Sequence, residues 1–323
     1  MNLFFPESVV PLTVIFANIM KRGLLIIQLM LIMFAADAQD SSYLSSAHKR
    51  WILGGVQATL WGGTLYSLNN AWYSNYPKAP FHFYNDWKEW QQMDKAGHAW
   101  STYQISRHTS NIWRWAGMNE KTSIWVGALS GMSFLGIVEV LDGYSDKWGF
   151  SLPDMAANAS GALLFVGQEY LWKDQRITLK LSYSPYQYGT LKPRADELFG
   201  SGDVERLLKD YNGQIIWASI NPKSFLPDSK LPGWLNIAIG YNARTMLGGY
   251  ENKWKDMNGN WIDRTDIDRY KRVLLSLDVD LTRIPTKNKT LKTIFSIINV
   301  LKVPAPALEW NTRGKWRLHA IAY

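Results

Sequence analysis

Arg176-Ile177-Thr178-Leu179-Lys180-Leu181-Ser182-Tyr183 is where the chain changes character. Apolar residues take every second position, the period of a strand with one apolar face and one polar face. Beyond it the same alternation returns. Leu235, Ile237, Ile239 and Tyr241 alternate with Asn236, Ala238 and Gly240, and Leu275, Leu277, Val279 and Leu281 alternate with Ser276, Asp278, Asp280 and Thr282. Gln214–Ile220 reads as a further strand, and Trp316–Tyr323 pairs with the region around Leu308–Trp310. Asn212-Gly213 and Asn258-Gly259-Asn260 mark turns. Helical pieces are expected around 203–210 and 289–301, the second ended by Pro304-Ala305-Pro306.

Before Arg176 the pattern is helical. Helices are expected at about Lys49–Asn69, Asp86–Ser110, Lys121–Leu141 and from Pro153 to Trp172. Small residues stud the last two: Gly127, Ala128, Ser130, Gly131, Ser133 and Gly136, then Ala156, Ala157, Ala159, Ser160 and Gly161. Such stripes let helix backbones approach closely. Thr122–Leu141 is near the length of a membrane span, but Glu139 and Asp142 at its end argue for a close-packed bundle over a lone lipid-facing helix. The fold class expected is α+β, an N-terminal helical bundle packed with a C-terminal antiparallel β-rich half. About six strands fall short of the usual eight, so a partial or small outer-membrane β-barrel is the alternative. The divisions are residues 1–38, 39–174 and 175–323.

The first division reads as an export leader. Met20-Lys21-Arg22 is a basic start, Gly23 to Phe34 an apolar core, and Ala36-Asp37-Ala38 a cleavage site after Ala38. Residues 1–19 stand upstream of a complete leader, so the true start is placed at Met20, with a long basic region as the alternative. The sequence has no cysteine, which excludes disulfides, thiolate metal sites and a cysteine-linked lipid within it. The formal charge is +8, which suits an anionic lipid or other acidic polymer surface as well as a plain basic surface. Nucleic acid is not an expected partner, because the basic residues form no cluster or motif. Of 17 tryptophans, 11 lie between Trp51 and Trp172; an aromatic core and a membrane interface both use tryptophan this way.

Three polar signatures interrupt the helical half: Asp94-Lys95-x-x-His98, Glu139-x-x-Asp142, and Ser151-x-x-Asp154-x-x-x-Asn158-x-x-Gly161. Each spacing puts its members on one face of a helix or at its start. Buried carboxylates and histidines need partners, and three helices can bring them together. The candidate polar centre is thus Asp94, Lys95, His98, Glu139, Asp142, Ser151, Asp154, Asn158 and Gly161. Three uses of it stay open. It could be a metal site, with His98, Glu139, Asp142 and Asp154 as ligands. It could be an acid–base site, with His98, Asp94, Glu139 and Asp154 as catalytic candidates. Or it could be a structural network that fixes helix register. No cofactor is named by these residues. His48, His82, His108 and His319 lack partners at ligand spacing, and Asp256-x-Asn258-Gly259-Asn260 is a polar turn, not a calcium loop.

On these three signatures the chain resembles the YfiM-like family, described as predicted periplasmic lipoproteins with a domain of unknown function. Asp94, Lys95 and His98, then Glu139 and Asp142, then Ser151, Asp154 and Gly161 follow the family's order over about residues 50–172. The layout is also distantly similar to VanZ-like membrane proteins. The segments 209–214 and 276–283 look specific to longer, Bacteroidetes-type versions. The resemblance implies work in the cell envelope, in the periplasm or at the outer membrane, and no reaction. The role expected is structural or binding, toward lipid, glycan or an envelope partner. An envelope hydrolase or metal-dependent enzyme using the Asp/His/Glu/Asp centre is the alternative.

Overall fold

The computed structural model describes residues 45–73, 76–256 and 258–322. The leader, its cleavage site and Tyr323 lie outside them. Helix α1 (Ser46–Leu68) continues into a π turn, Asn69–Tyr73. Helices α2 (Met93–Trp115), α3 (Glu120–Gly143) and α4 (Leu152–Trp172) form the packed helical body. Two short strands, β1 (Phe83–Tyr84) and β2 (Phe150–Ser151), pair in parallel beside it.

The small residues expected to allow close packing do so against α2. A Cβ on Gly161 would sit 2.2 Å from the Ala99 carbonyl oxygen, and one on Gly127 2.3 Å from that of Ser106. Helices α3 and α4 therefore both approach α2 at backbone distance. Tyr103, Ile124, Ala128, Ala162, Phe165 and Val166 fill the core between them. Helix α3 is the one described helix long and apolar enough to cross a membrane, but it packs on α2 and α4 and buries Glu139.

The second helix begins later than its pattern predicts, at Met93 and not near Asp86. Trp90, Gln91 and Gln92 all take positive φ (47°, 53° and 62°), a left-handed entry that is costly away from glycine. Tertiary bonds offset that cost. Trp90 N donates to Gly249 O at 2.7 Å, the Tyr241 hydroxyl donates to Gln91 O, and the Trp90 ring packs between Phe199 and Tyr211. The turn folds Asp86 back toward Lys95.

After α4 the chain builds a six-stranded antiparallel sheet from β3 (Ile177–Tyr183), β4 (Gln214–Ile220), β5 (Leu235–Arg244), β8 (Tyr270–Val279), β9 (Ala305–Asn311) and β10 (Trp316–Ala322), in the order β10-β9-β8-β5-β4-β3. It does not close into a barrel, so the α+β expectation holds. The backbone of Leu181 on the β3 edge bonds Val300 and Lys302, a single latch. Helices α5 (Lys192–Phe199), α6 (Asp203–Lys209) and α7 (Pro222–Phe225) fill two connections. The hairpin β6 (Lys253–Lys255) and β7 (Trp261–Asp263) turns at Asn258-Gly259-Asn260, where Asp256 accepts backbone bonds from Asn258 and Asn260. Helix α8 (Lys289–Ile298) joins β8 to β9. Neither α5 nor this hairpin was visible in the periodicity, because both are too short to show it.

The sheet is inverted. Its polar and small face is the buried one, and its apolar face points out. Inside, Lys180 pairs with Asp278 at 2.8 Å with neither side chain exposed, and Arg272 pairs with Glu309 at 3.0 Å. Ser219 donates to Asp278 at 2.6 Å, Asn236 to Ser219 at 2.9 Å, and Asn221 to Asn236 at 2.7 Å. Trp217 lies among them over Gly240, where a Cβ would meet its ring at 2.7 Å, and its indole donates to Ser182. Buried polar groups this well partnered stabilise a core instead of leaving it short of bonds.

Outside, the register lines up apolar rows. One runs Ile239, Leu275, Leu308, Leu318; the next runs Tyr241, Val273, Trp310, Trp316. Helix α2 and the turn before it cover β3, β4 and the Tyr241 end of β5; Leu179, Leu181 and Tyr241 pack on the helical core, and Tyr103 and Gln104 donate to the strand carbonyls of Ile177 and Leu179. From Ile237 and Ile239 on β5 across to β10 the outer face is bare among the described residues.

Candidate functional site

The three helices bring the expected polar residues into one cluster. Lys95 stands at its middle, reaching Asp86 at 2.6 Å, Asp154 at 2.9 Å and Asp94 at 3.1 Å. Ser151 joins the elements. Its hydroxyl accepts from Asp154 N at 3.0 Å as the cap of α4 and donates to Asp86 at 2.5 Å, while its own N–H donates to Glu139 Oε2 at 3.1 Å. One serine thus ties α4 to α3 and to the turn before α2.

His98 occupies the far side. Its Nδ1 lies 3.1 Å from Asn158 Oδ1, which also accepts from the Thr102 hydroxyl at 3.0 Å. Two groups converging on that oxygen make it an acceptor, so Nδ1 carries the hydrogen. Nε2 then faces three carboxylate oxygens: Glu139 Oε1 at 3.6 Å, Asp94 Oδ1 at 3.8 Å and Asp154 Oδ1 at 3.9 Å. Gly161 contributes by its missing side chain, since the α2–α4 approach it permits puts Asn158 and Asp154 within reach of α2.

Asp142 goes elsewhere. It accepts from the Tyr73 hydroxyl at 2.8 Å and does not share the His98 oxygen group. The ligand atoms of Asp94, His98 and Asp154 lie within 4.8 Å of one another; of the residues that spacing named as possible metal ligands, Glu139 and Asp142 fall outside that group, and Asp94 joins it.

Three carboxylates contact Lys95, and burial together with neighbouring charge shifts the acidities of Glu139, Asp142, Asp154 and Asp94. Burial pushes Glu139 up to about 8, with the Asp154 charge adding to it. Burial also raises Asp142, to about 7, and Asp154, where the charge of Asp94 and a bond with Asp86 act in the same direction. Burial works against Asp94 as well, but the charges of His98 and Lys95 and the Tyr211 bond hold it below its ordinary value. Lys95 is desolvated, yet Asp94 and Asp154 raise it above the ordinary lysine value.

Residues outside the three signatures complete the cluster. Asp86 carries no spacing signal of its own, whereas Thr102 stands one turn beyond His98 on the same helix face. Tyr211, whose hydroxyl donates to Asp94 at 2.6 Å, comes from the sheet half. It falls inside segment 209–214, which stood out as specific to longer homologues, and so that segment carries the one sequence hint of the contact.

Chemically, the cluster can hold a cation or share protons among carboxylates. The His98 and Asp94 side chains are 14% and 20% exposed, a narrow opening. Residues 82–167 match the family model described as "Predicted periplasmic lipoprotein (DUF2279)". The match spans all three signatures and agrees with the resemblance drawn from them. It supports an uncharacterised exported protein of the periplasm or outer membrane. No curated protein and no solved structure matches the chain.

Proposed function

We propose that this envelope protein is seated in the outer membrane by the outer face of its sheet, with a structural or binding role there. The observation that carries the reading is the inversion of the sheet. A soluble sheet points polar side chains at water; a lipid-facing one points apolar side chains at hydrocarbon and hides polar ones. Here Leu275, Leu277, Leu318 and Trp316 are 51, 54, 80 and 65% exposed while Lys180 and Asp278 are wholly buried.

The boundaries of the bare face fit the same reading. Trp310 and Trp316 form its edge row, and the β9–β10 turn beyond carries Arg313 and Lys315. Tryptophan beside basic residues is the composition of a membrane interface over anionic headgroups. At the opposite end, α8 exposes Leu291, Ile294 and Ile298 along one stripe, with Lys287, Lys289 and Lys292 nearby. A short amphipathic helix of this kind lies in the headgroup region. The sequence contains no cysteine to acylate, so an apolar face is the attachment its residues offer.

The test is fractionation. Separated inner and outer membranes, washed in alkaline carbonate, should retain the protein in the outer-membrane fraction. Recovery of all of it in a soluble periplasmic extract would overturn the reading.

A further inference from the structure

We propose that His98, Asp94, Asp154 and Glu139 form a binding site for one divalent cation of the zinc or manganese class. Glu139 is 1% exposed, and its Oε2 is held by the Ser151 N–H, yet its Oε1 has no hydrogen-bond partner and is aimed at His98 Nε2. A buried carboxylate oxygen left without a donor is costly. Asp154 Oδ1 is not orphaned in this way, since the Lys95 ammonium lies 2.9 Å from it.

Distances support a shared ion. A zinc ion binds nitrogen and oxygen at about 2.0–2.2 Å, which places neighbouring donors roughly 3.0–3.6 Å apart. Nε2 is already 3.6–3.9 Å from the three oxygens. The ligand atoms of Asp94, His98 and Asp154 lie within 4.8 Å of one another, so drawing them onto one ion takes movements of up to about 1 Å, and Glu139 Oε1, outside that group, has to swing in with them. The second layer is also in place. Asn158 takes the Nδ1 hydrogen and leaves the Nε2 lone pair facing the acids, the arrangement that orients metal-binding histidines. Tyr211 holds Asp94 and Ser151 holds Glu139.

Charge points the same way. Among the described residues, Lys95 is the lysine or arginine paired with Asp86, Asp94 and Asp154. It reaches Asp94 through Oδ2, while Oδ1 accepts from the Tyr211 hydroxyl and lies 3.8 Å from His98 Nε2. One imidazole with three carboxylates selects borderline to hard divalent ions over soft ones.

The test is isothermal titration of the chelator-stripped full chain, in mild detergent, with Zn²⁺ and with Mn²⁺. The expected result is one ion per chain, bound at micromolar concentration or tighter by at least one of the two. His98→Ala and Asp154→Asn should weaken binding at least a hundredfold, and Glu139→Gln about tenfold. Asp256→Asn, on the exposed turn, should change nothing. A loss of fold would also abolish binding in the first two variants, so the Co²⁺ form of the unaltered chain gives a second readout: its visible spectrum should report imidazole ligation. No binding below millimolar, or binding that His98→Ala and Asp154→Asn leave intact while circular dichroism shows the fold preserved, would overturn the site. Neither result depends on where in the envelope the protein sits.

Discussion

Changing Leu275, Leu277 and Leu318 together to serine should release the protein from lipid without unfolding it. The three side chains are 51, 54 and 80% exposed, together close to two whole leucines. Burying one leucine contributes about 1.5–3 kcal/mol. If these side chains enter hydrocarbon, the triple change removes about 3–5 kcal/mol of attachment, a roughly 100- to 4,000-fold drop in partitioning. Each new hydroxyl adds its own desolvation cost, so this is a lower bound. The sheet interior is untouched, because the inward neighbours Leu274, Ser276 and Asp278 are unchanged. The assay is flotation with liposomes containing anionic lipid, before and after substitution, beside a thermal melt in detergent. Flotation within threefold of the parent, with an unchanged melt, would refute the lipid reading of this face.

Other expectations follow from the interior. Lys180→Met leaves Asp278 buried without its cation and should cost about 3 kcal/mol or more in urea unfolding; a loss under about 1 kcal/mol would mean the pair is not the core it resembles. Gly161→Ala forces a Cβ against the Ala99 carbonyl and should lower the melting temperature by several degrees, whereas Gly167→Ala, with open space around it, should leave it level or raise it. Folded Asp142 keeps its proton up to about pH 7, while the unfolded chain loses it near 3.8. The folded state therefore binds more protons in that window, and stability should fall as pH rises through it. Asp142→Asn should flatten this slope, as melts at closely spaced pH values would show.

Much of the helical body was legible because close packing writes itself as small residues at three- and four-residue spacing. Gly127, Gly131 and Gly161 all proved to face α2. Lys95, His98, Asp154 and Asn158 converge for the same reason. Asp142 could not be placed this way, since a residue at a helix end turns with the loop that follows, and its partner Tyr73 lies far off in sequence. The left-handed entry at Trp90–Gln92 left no trace, because tertiary bonds to Gly249 and Tyr241 impose it. In the sheet, alternation gave the strands and their two faces. It could not say which face was inside. That depends on whether Lys180, Asp278, Arg272 and Glu309 find one another, and their pairing joins strands about a hundred residues apart in one case.

The most direct test of the account uses the absence of native cysteine. Single cysteines at Leu275, Leu318 and Lys315, each carrying an environment-sensitive fluorophore, should be compared in lipid vesicles and in detergent-free buffer. Labels at 275 and 318 should shift to the emission of hydrocarbon in vesicles, and the label at 315 should stay aqueous. Labels at 275 and 318 that remain aqueous in the presence of membrane would contradict the claim that this inverted sheet is built for lipid.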